Sequence, residues 1–158
     1  MKTVLSGQKI AFLVANGLKE SDLICAQKTV QSLGADTRII SMDPGMVSSL
    51  NETGWGLNFA ADRPLRESLA ADYSAVIVPG GQRSIEKLRL TAHTKRFLRG
   101  FYDTQKPLCI LGQAADLLEF AEIDRDNAGA HVLISEEADS ALGEFLERSL
   151  LAEHAVAA

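Results

Sequence analysis

The sequence predicts an α/β fold, and three observations carry that expectation. Short apolar runs alternate with amphipathic stretches at helical spacing, the pattern of βαβ units. Two of those runs stop at glycine-containing turns, Asn16-Gly17 and Pro79-Gly80-Gly81. A third, Leu108 to Leu111, passes straight into Gly112 and a helical segment. Strands apolar on both faces belong to a parallel sheet covered by helices on each side.

In chain order, Lys9-Ile10-Ala11-Phe12-Leu13-Val14-Ala15 reads as a first buried strand. Leu23, Ala26, Val30 and Leu33 then recur at helical spacing, and Gly34 closes that helix. Thr37-Arg38-Ile39-Ile40-Ser41 is a second strand, broken by Asp43-Pro44-Gly45. Val47 to Leu50 and Gly56 to Ala60 are expected to form a small hairpin around Asn51-Glu52-Thr53-Gly54. Pro64 to Leu69 reads as a short helix opened by its proline. Ser74-Ala75-Val76-Ile77-Val78 is a central strand, and Thr91 to Tyr102 a helix with Phe97, Leu98 and Phe101 inward. After the Leu108–Leu111 strand and its helix come a strand at His131-Val132-Leu133-Ile134 and a last helix over 138–151. The layout expected is a flavodoxin-like three-layer α/β/α sandwich with a mainly parallel five-stranded sheet. It forms one domain, 8–151, with 152–158 a disordered tail.

Gly112 is the most telling residue. A strand–turn–helix elbow holds a nucleophilic Ser or Cys at φ > 0, so that its reactive atom projects over the sheet edge. Glycine takes that conformation with almost no strain. It keeps the turn and deletes the chemistry.

Composition narrows the function classes. A net charge of -5 with scattered Lys and Arg argues against a nucleic-acid surface. No apolar run approaches a membrane span, and the first residues are too polar for a signal peptide. Cys25 lies in a helical pattern and Cys109 in an apolar strand, so both are expected to pack as small hydrophobes in a reducing cytoplasm. His93, His131 and His154 show no metal-ligand spacing, and neither a metal nor another cofactor is expected. No G-x-G-x-x-G or P-loop points to a nucleotide.

Three segments together resemble the DJ-1/PfpI family of the class I glutamine amidotransferase-like fold. They are the first strand with Asn16-Gly17, the strand Tyr73 to Val78 with Pro79-Gly80-Gly81, and the Lys106-Pro107 strand with its elbow. The resemblance implies an elbow Cys at Gly112, a following His at Gln113 and a thiol-binding Glu at Lys19, and all three are changed. Glu20 is one residue from the Glu position, an offset that aims it elsewhere. Cys109, three residues upstream inside the strand, is no substitute. Gln82-Arg83-Ser84-Ile85-Glu86-Lys87-Leu88, Phe97 to Tyr102 and Gly129-Ala130-His131-Val132 look closer still to the non-catalytic C-terminal domain of large-subunit catalases. A chain of 158 residues holds no haem-binding core, so it is not expected to dismutate peroxide.

The resemblance places Lys19 near the elbow. Gln113 opens a helix, where free amides favour negative charge. Asn16, Lys19, Gly80, Gly81, Gln113 and Asp116 are therefore the candidate pocket, mildly cationic and suited to a small carboxylate or phosphate. Gly80-Gly81 is read first as a turn and second as an anion-binding nest. Asp116 has no evident acid or base partner. Trp55 and Phe59 are candidates for a contact surface, and a homodimer is expected. The reading is of a non-catalytic binding or assembly domain. The contrasting one is a hydrolase of the protease, amidase or glyoxalase type using Ser84 or Ser21, which lack an adjacent His.

Overall fold

A computed structural model describes the backbone of residues 4–157 and the side chains of residues 4–150. Its centre is β1 (Lys9–Val14), flanked in parallel by β3 (Asp36–Ser41) and β7 (Ala75–Val78). Beyond β7 lie β8 (Leu108–Leu111) and β9 (Val132–Ser135), also parallel. The sheet has six strands rather than the expected five. The sixth, β6 (Arg63–Pro64), pairs with β3 where the sequence suggested a helix start. Proline lacks a ladder donor, so this two-residue strand sits on an edge. Only a 3-10 turn, Leu65–Glu67, follows it.

Alternation along the strands divides the core in two. Ala11, Leu13, Val76, Val78, Leu108 and Ile110 face one side. There they meet α2 (Gln82–Leu88), α3 (Ala92–Asp103) and α4 (Asp116–Phe120) through Ile85, Phe97, Phe101 and Leu117. Ile10, Phe12, Val14, Ile77 and Cys109 face α1 (Glu20–Ser32) and α5 (Ser140–Ala157). The layers are those of the expected sandwich. α2 starts directly at Gln82, a helix that the sequence pattern does not announce, and α5 runs past Leu151. The expected tail of 152–158 thus falls on the end of α5, apart from Ala158, which lies outside the described residues.

A second, three-stranded sheet stands beside the first. β2 (Leu18–Lys19) runs parallel to β4 (Met46–Asn51), which pairs antiparallel with β5 (Gly54–Ala60). The expected hairpin forms and is longer than its apolar residues alone indicated. No helix of the described residues is long and apolar enough to cross a membrane.

Candidate functional site

In a parallel sheet, ligands sit beyond the carboxyl ends of the strands where the strand order reverses. Here the order β6-β3-β1-β7-β8-β9 reverses between β1 and β7. A cleft of about 1070 Å³ opens at that place, lined by residues that follow β1, β7, β8 and β9.

Its floor is built from touching backbones. The Lys19 N–H donates to the Gly80 carbonyl at 2.8 Å. Gly81 takes φ +112, and a Cβ there would stand 2.6 Å from the Gly17 carbonyl oxygen and 2.7 Å from the Lys19 nitrogen. Only glycine permits this approach. Asp22, 1% exposed, ties the floor to the far wall. Its Oδ2 accepts the Gly80 N–H at 2.9 Å and its Oδ1 the Ala138 N–H at 3.1 Å. Ser84 Oγ accepts the Ala15 N–H at 2.9 Å and fixes the end of the first strand.

The elbow has the backbone form expected of it. Gly112 has φ +53 and opens a 3-10 turn, Gly112–Ala115, ahead of α4. A Cβ on Gly112 would lie 3.1 Å from the Glu136 carbonyl oxygen. Gln113 does not open an α-helix. It lines the cleft, and its Oε1 accepts the Gly81 N–H at 3.1 Å. The amide of the proposed nest is thus satisfied from within the chain.

Lys19, Gly81, Gly112, Gln113 and Asp116 line the cleft together. Gly80 lies behind it, and Asn16 turns to the hairpin, where its Oδ1 accepts the Ser48 N–H at 2.9 Å. Glu20 also points to the hairpin, as its offset implied: its Oε2 accepts the Leu57 N–H at 2.8 Å. That bond, then the Ser49 hydroxyl, holds its carboxyl below the usual range, against a smaller opposing effect of desolvation. Cys109 is sealed in the sheet, where burial pushes its thiol far up and keeps it protonated.

Sequence reading missed Arg83, Glu86, Arg125, Ser135 and Glu136, which also line the cleft. With Lys19 and Asp116 they make three cations against three carboxylates, so the lining is balanced in formal charge rather than mildly cationic. Lys19 is itself 3.8 Å from Glu137. The residues past β9 are over 100 positions from Lys19, and no local pattern joins them. Asp22 did leave a signal: an acid on the buried Asp22–Ala26–Val30 stripe of α1.

The family model for the DJ-1/PfpI family matches residues 8–157. The chain belongs to the DJ-1/PfpI family. Deglycase PfpI of Pyrococcus furiosus is 23% identical over 146 residues, 92% of this chain and 85% of the relative. Catalase HPII of Pseudomonas aeruginosa is 26% identical over 113 residues, 72% of this chain but 15% of the catalase. This chain therefore spans a small part of that catalase. A two-domain protein from Anabaena variabilis, with DJ-1/ThiJ/PfpI-like and ferritin-like domains, superposes with a TM-score of 0.71 at 19% identity. That match covers 93% of this chain and 48% of the other, and it shows the fold. Within the DJ-1/PfpI frame, the elbow turn is present at Gly112 without a side chain on it.

Proposed function

We propose that this is a non-catalytic DJ-1/PfpI domain, a cytoplasmic homodimer whose cleft takes a small ligand bearing a carboxylate or phosphate. The observation that carries the reading is the bare elbow: φ +53 at a glycine, in a cleft lined by no Cys and no His among the described residues. Covalent catalysis needs an activated nucleophile, and the hydroxyls at hand are committed elsewhere. Ser84 Oγ accepts a backbone amide and is buried, while Ser135 Oγ donates to the Glu137 carbonyl at 3.0 Å. The ligand class is supported by Arg83 and Arg125. Among the described residues neither has a carboxylate within 4.0 Å, so both are available to an incoming oxyanion. Two cysteines without a disulfide agree with a reducing compartment.

The test compares the unmodified chain with Gly112→Cys and Cys109→Ala in peptide hydrolysis and methylglyoxal removal. All three are expected at background, because a thiol placed on the elbow finds no histidine to take its proton. Turnover by the unmodified chain would overturn the reading, and its loss in Cys109→Ala would name the nucleophile. Phosphate or acetate soaked into crystals is expected between Lys19, Arg83 and Gln113; an unoccupied cleft after both soaks would remove the ligand assignment.

A further inference from the structure

Three cations line the cleft, and they are not held alike. Lys19 lies 3.8 Å from Glu137, so its charge already has a partner. Arg125 stands in the short 3-10 turn Arg125–Asn127, and among the described residues neither a ring nor a carboxylate lies against its guanidinium. Arg83 is fixed at its root, its stem and its head. Ser84, the next residue on α2, anchors that helix by accepting the Ala15 N–H at 2.9 Å. The stem of Arg83 passes Gly17, where a Cβ would overlap the Cβ of Arg83. The guanidinium lies over the Trp55 ring, 5.6 Å from its centroid, within the range of a cation–π attraction.

Trp55 reaches that place through an irregularity of the hairpin. Ser48 stands opposite Asn58 and Leu50 opposite Trp55, so Gly56 and Leu57 together oppose Ser49. A bulge of this kind bends its strand and re-aims a side chain. Leu50, the cross-strand partner of Trp55, itself lines the cleft. The hairpin thus brings one aliphatic and one aromatic side chain to the side of the cleft where Arg83 enters.

What stays open on Arg83 is its set of donors. A guanidinium against a ring face keeps its N–H groups in the guanidinium plane, where two of them can bind one oxyanion in parallel. Two other arginines that are held in place have used theirs. Arg96 donates to the Leu65 and Ser68 carbonyls. Arg99, 5.4 Å from the Tyr102 centroid, donates to Asp103 and to the Glu122 carbonyl. Among the described residues, the Arg83 guanidinium has no carboxylate within 4.0 Å.

We propose that Arg83 is the group that receives the oxyanion of the ligand, and that Trp55 is its positioning residue, holding the guanidinium in place before the ligand arrives. The inference rests on the carboxylate or phosphate ligand proposed above and says which of the three cations takes it. A side chain ordered beforehand lowers the entropy cost of binding, whereas Arg125 would have to be ordered by the ligand itself.

NMR titration with inorganic phosphate tests the proposal. Trp55 is the one tryptophan of the chain, so its indole N–H gives a single signal. In isotope-labelled protein, the Trp55 indole and Arg83 Nε–H signals are expected to shift with one midpoint, shared by the Lys19 and Gly81 amides. Arg83→Met keeps the stem and removes the donors, and is expected to weaken phosphate about tenfold or more. Trp55→Leu keeps apolar bulk without a π face, and should weaken it about threefold, with Trp55→Phe restoring most of the loss. Arg125→Gln should change it by less than about twofold. No shift of any cleft signal with phosphate or acetate would remove the ligand reading and this inference with it. Affinity retained in Arg83→Met, or a larger loss in Arg125→Gln, would overturn the inference and leave the ligand reading standing. Unchanged affinity in Trp55→Leu would overturn the role of Trp55 alone. So would an indole signal that stays still while the Arg83 signal moves, and that result decides the matter should Trp55→Leu fail to fold.

Discussion

At the cleft, backbone is packed on backbone: Gly81 against Gly17 and Lys19, the Lys19 amide on Gly80, and both neighbouring loops tied by buried Asp22. The hairpin is fastened by side chains instead, with Glu20, Ser49 and Asn16 supplying bonds that a regular ladder would have made. A floor held by main chain has no slack, so its shape persists when the side chains above it change. That is how the elbow turn remains while the positions that the family resemblance assigns to Cys, His and Glu hold Gly112, Gln113 and Lys19. A hairpin held at its rim by side chains leaves its outer strand free to carry whatever surface is useful. Here that surface is apolar and uncharged.

The sharpest way to break this contrast is Gly81→Ala. Its methyl group would sit 2.6 Å from a carbonyl oxygen at φ +112, where strain and overpacking add. A loss of about 4 kcal/mol is expected in urea unfolding, from the sum of those two costs. A loss below about 1 kcal/mol would show that the floor has slack after all. The same addition at Gly54, on the hairpin, meets nothing within 4 Å, so its cost is confined to the backbone conformation.

Asp22→Ala comes next. It leaves the Gly80 and Ala138 amides without their acceptor in a buried place, at an expected cost of about 3 kcal/mol. The change should also loosen the cleft, so amide exchange at Gly80 and Ala138 is expected to accelerate while exchange within β4 and β5 does not. Equal acceleration in both regions would mean that the hairpin and the floor are one cooperative unit, and the contrast between them would fail.

The range of the forces involved decides how much of this was legible in the sequence. The strands around β1 and β7 were readable because burial on both faces leaves uninterrupted apolar runs, and the elbow because Gly112 ends one of them. β6 was hidden because two residues carry no periodicity and Pro64 reads equally well as a helix start. α2 was hidden behind Pro79-Gly80-Gly81, whose glycines signal a turn but give no sign of the helix beyond it. Asp22 was visible as an acid on an apolar stripe, yet its partners, Gly80 and Ala138, are 58 and 116 residues away. The charge balance of the cleft was beyond reach for the same reason: Arg83 and Arg125 arrive from two different crossovers, and Glu136 follows the last strand.

The mildest perturbation is Glu20→Gln, and its signature lies in pH rather than in size. The Leu57 amide and the Ser49 hydroxyl both favour the carboxylate, so the group titrates below its ordinary 4.5 in the folded chain. A depressed acid contributes stability that is fully present above its unfolded value and is lost as pH falls through its folded value. Glu20 therefore steadies the hairpin at neutral pH and releases it in the window below 4.5. Urea midpoints measured from about pH 6 to about pH 3 should fall for the unmodified chain and fall less steeply for Glu20→Gln. The two should converge at the acid end, where the native carboxyl is protonated and glutamine mimics it. At neutral pH the variant should be the less stable by a margin smaller than either cleft substitution produces, because the group is half-buried and still screened by solvent. Parallel pH profiles would mean that the carboxylate does not hold the strand, and that the hairpin keeps its shape through the β4–β5 ladder alone.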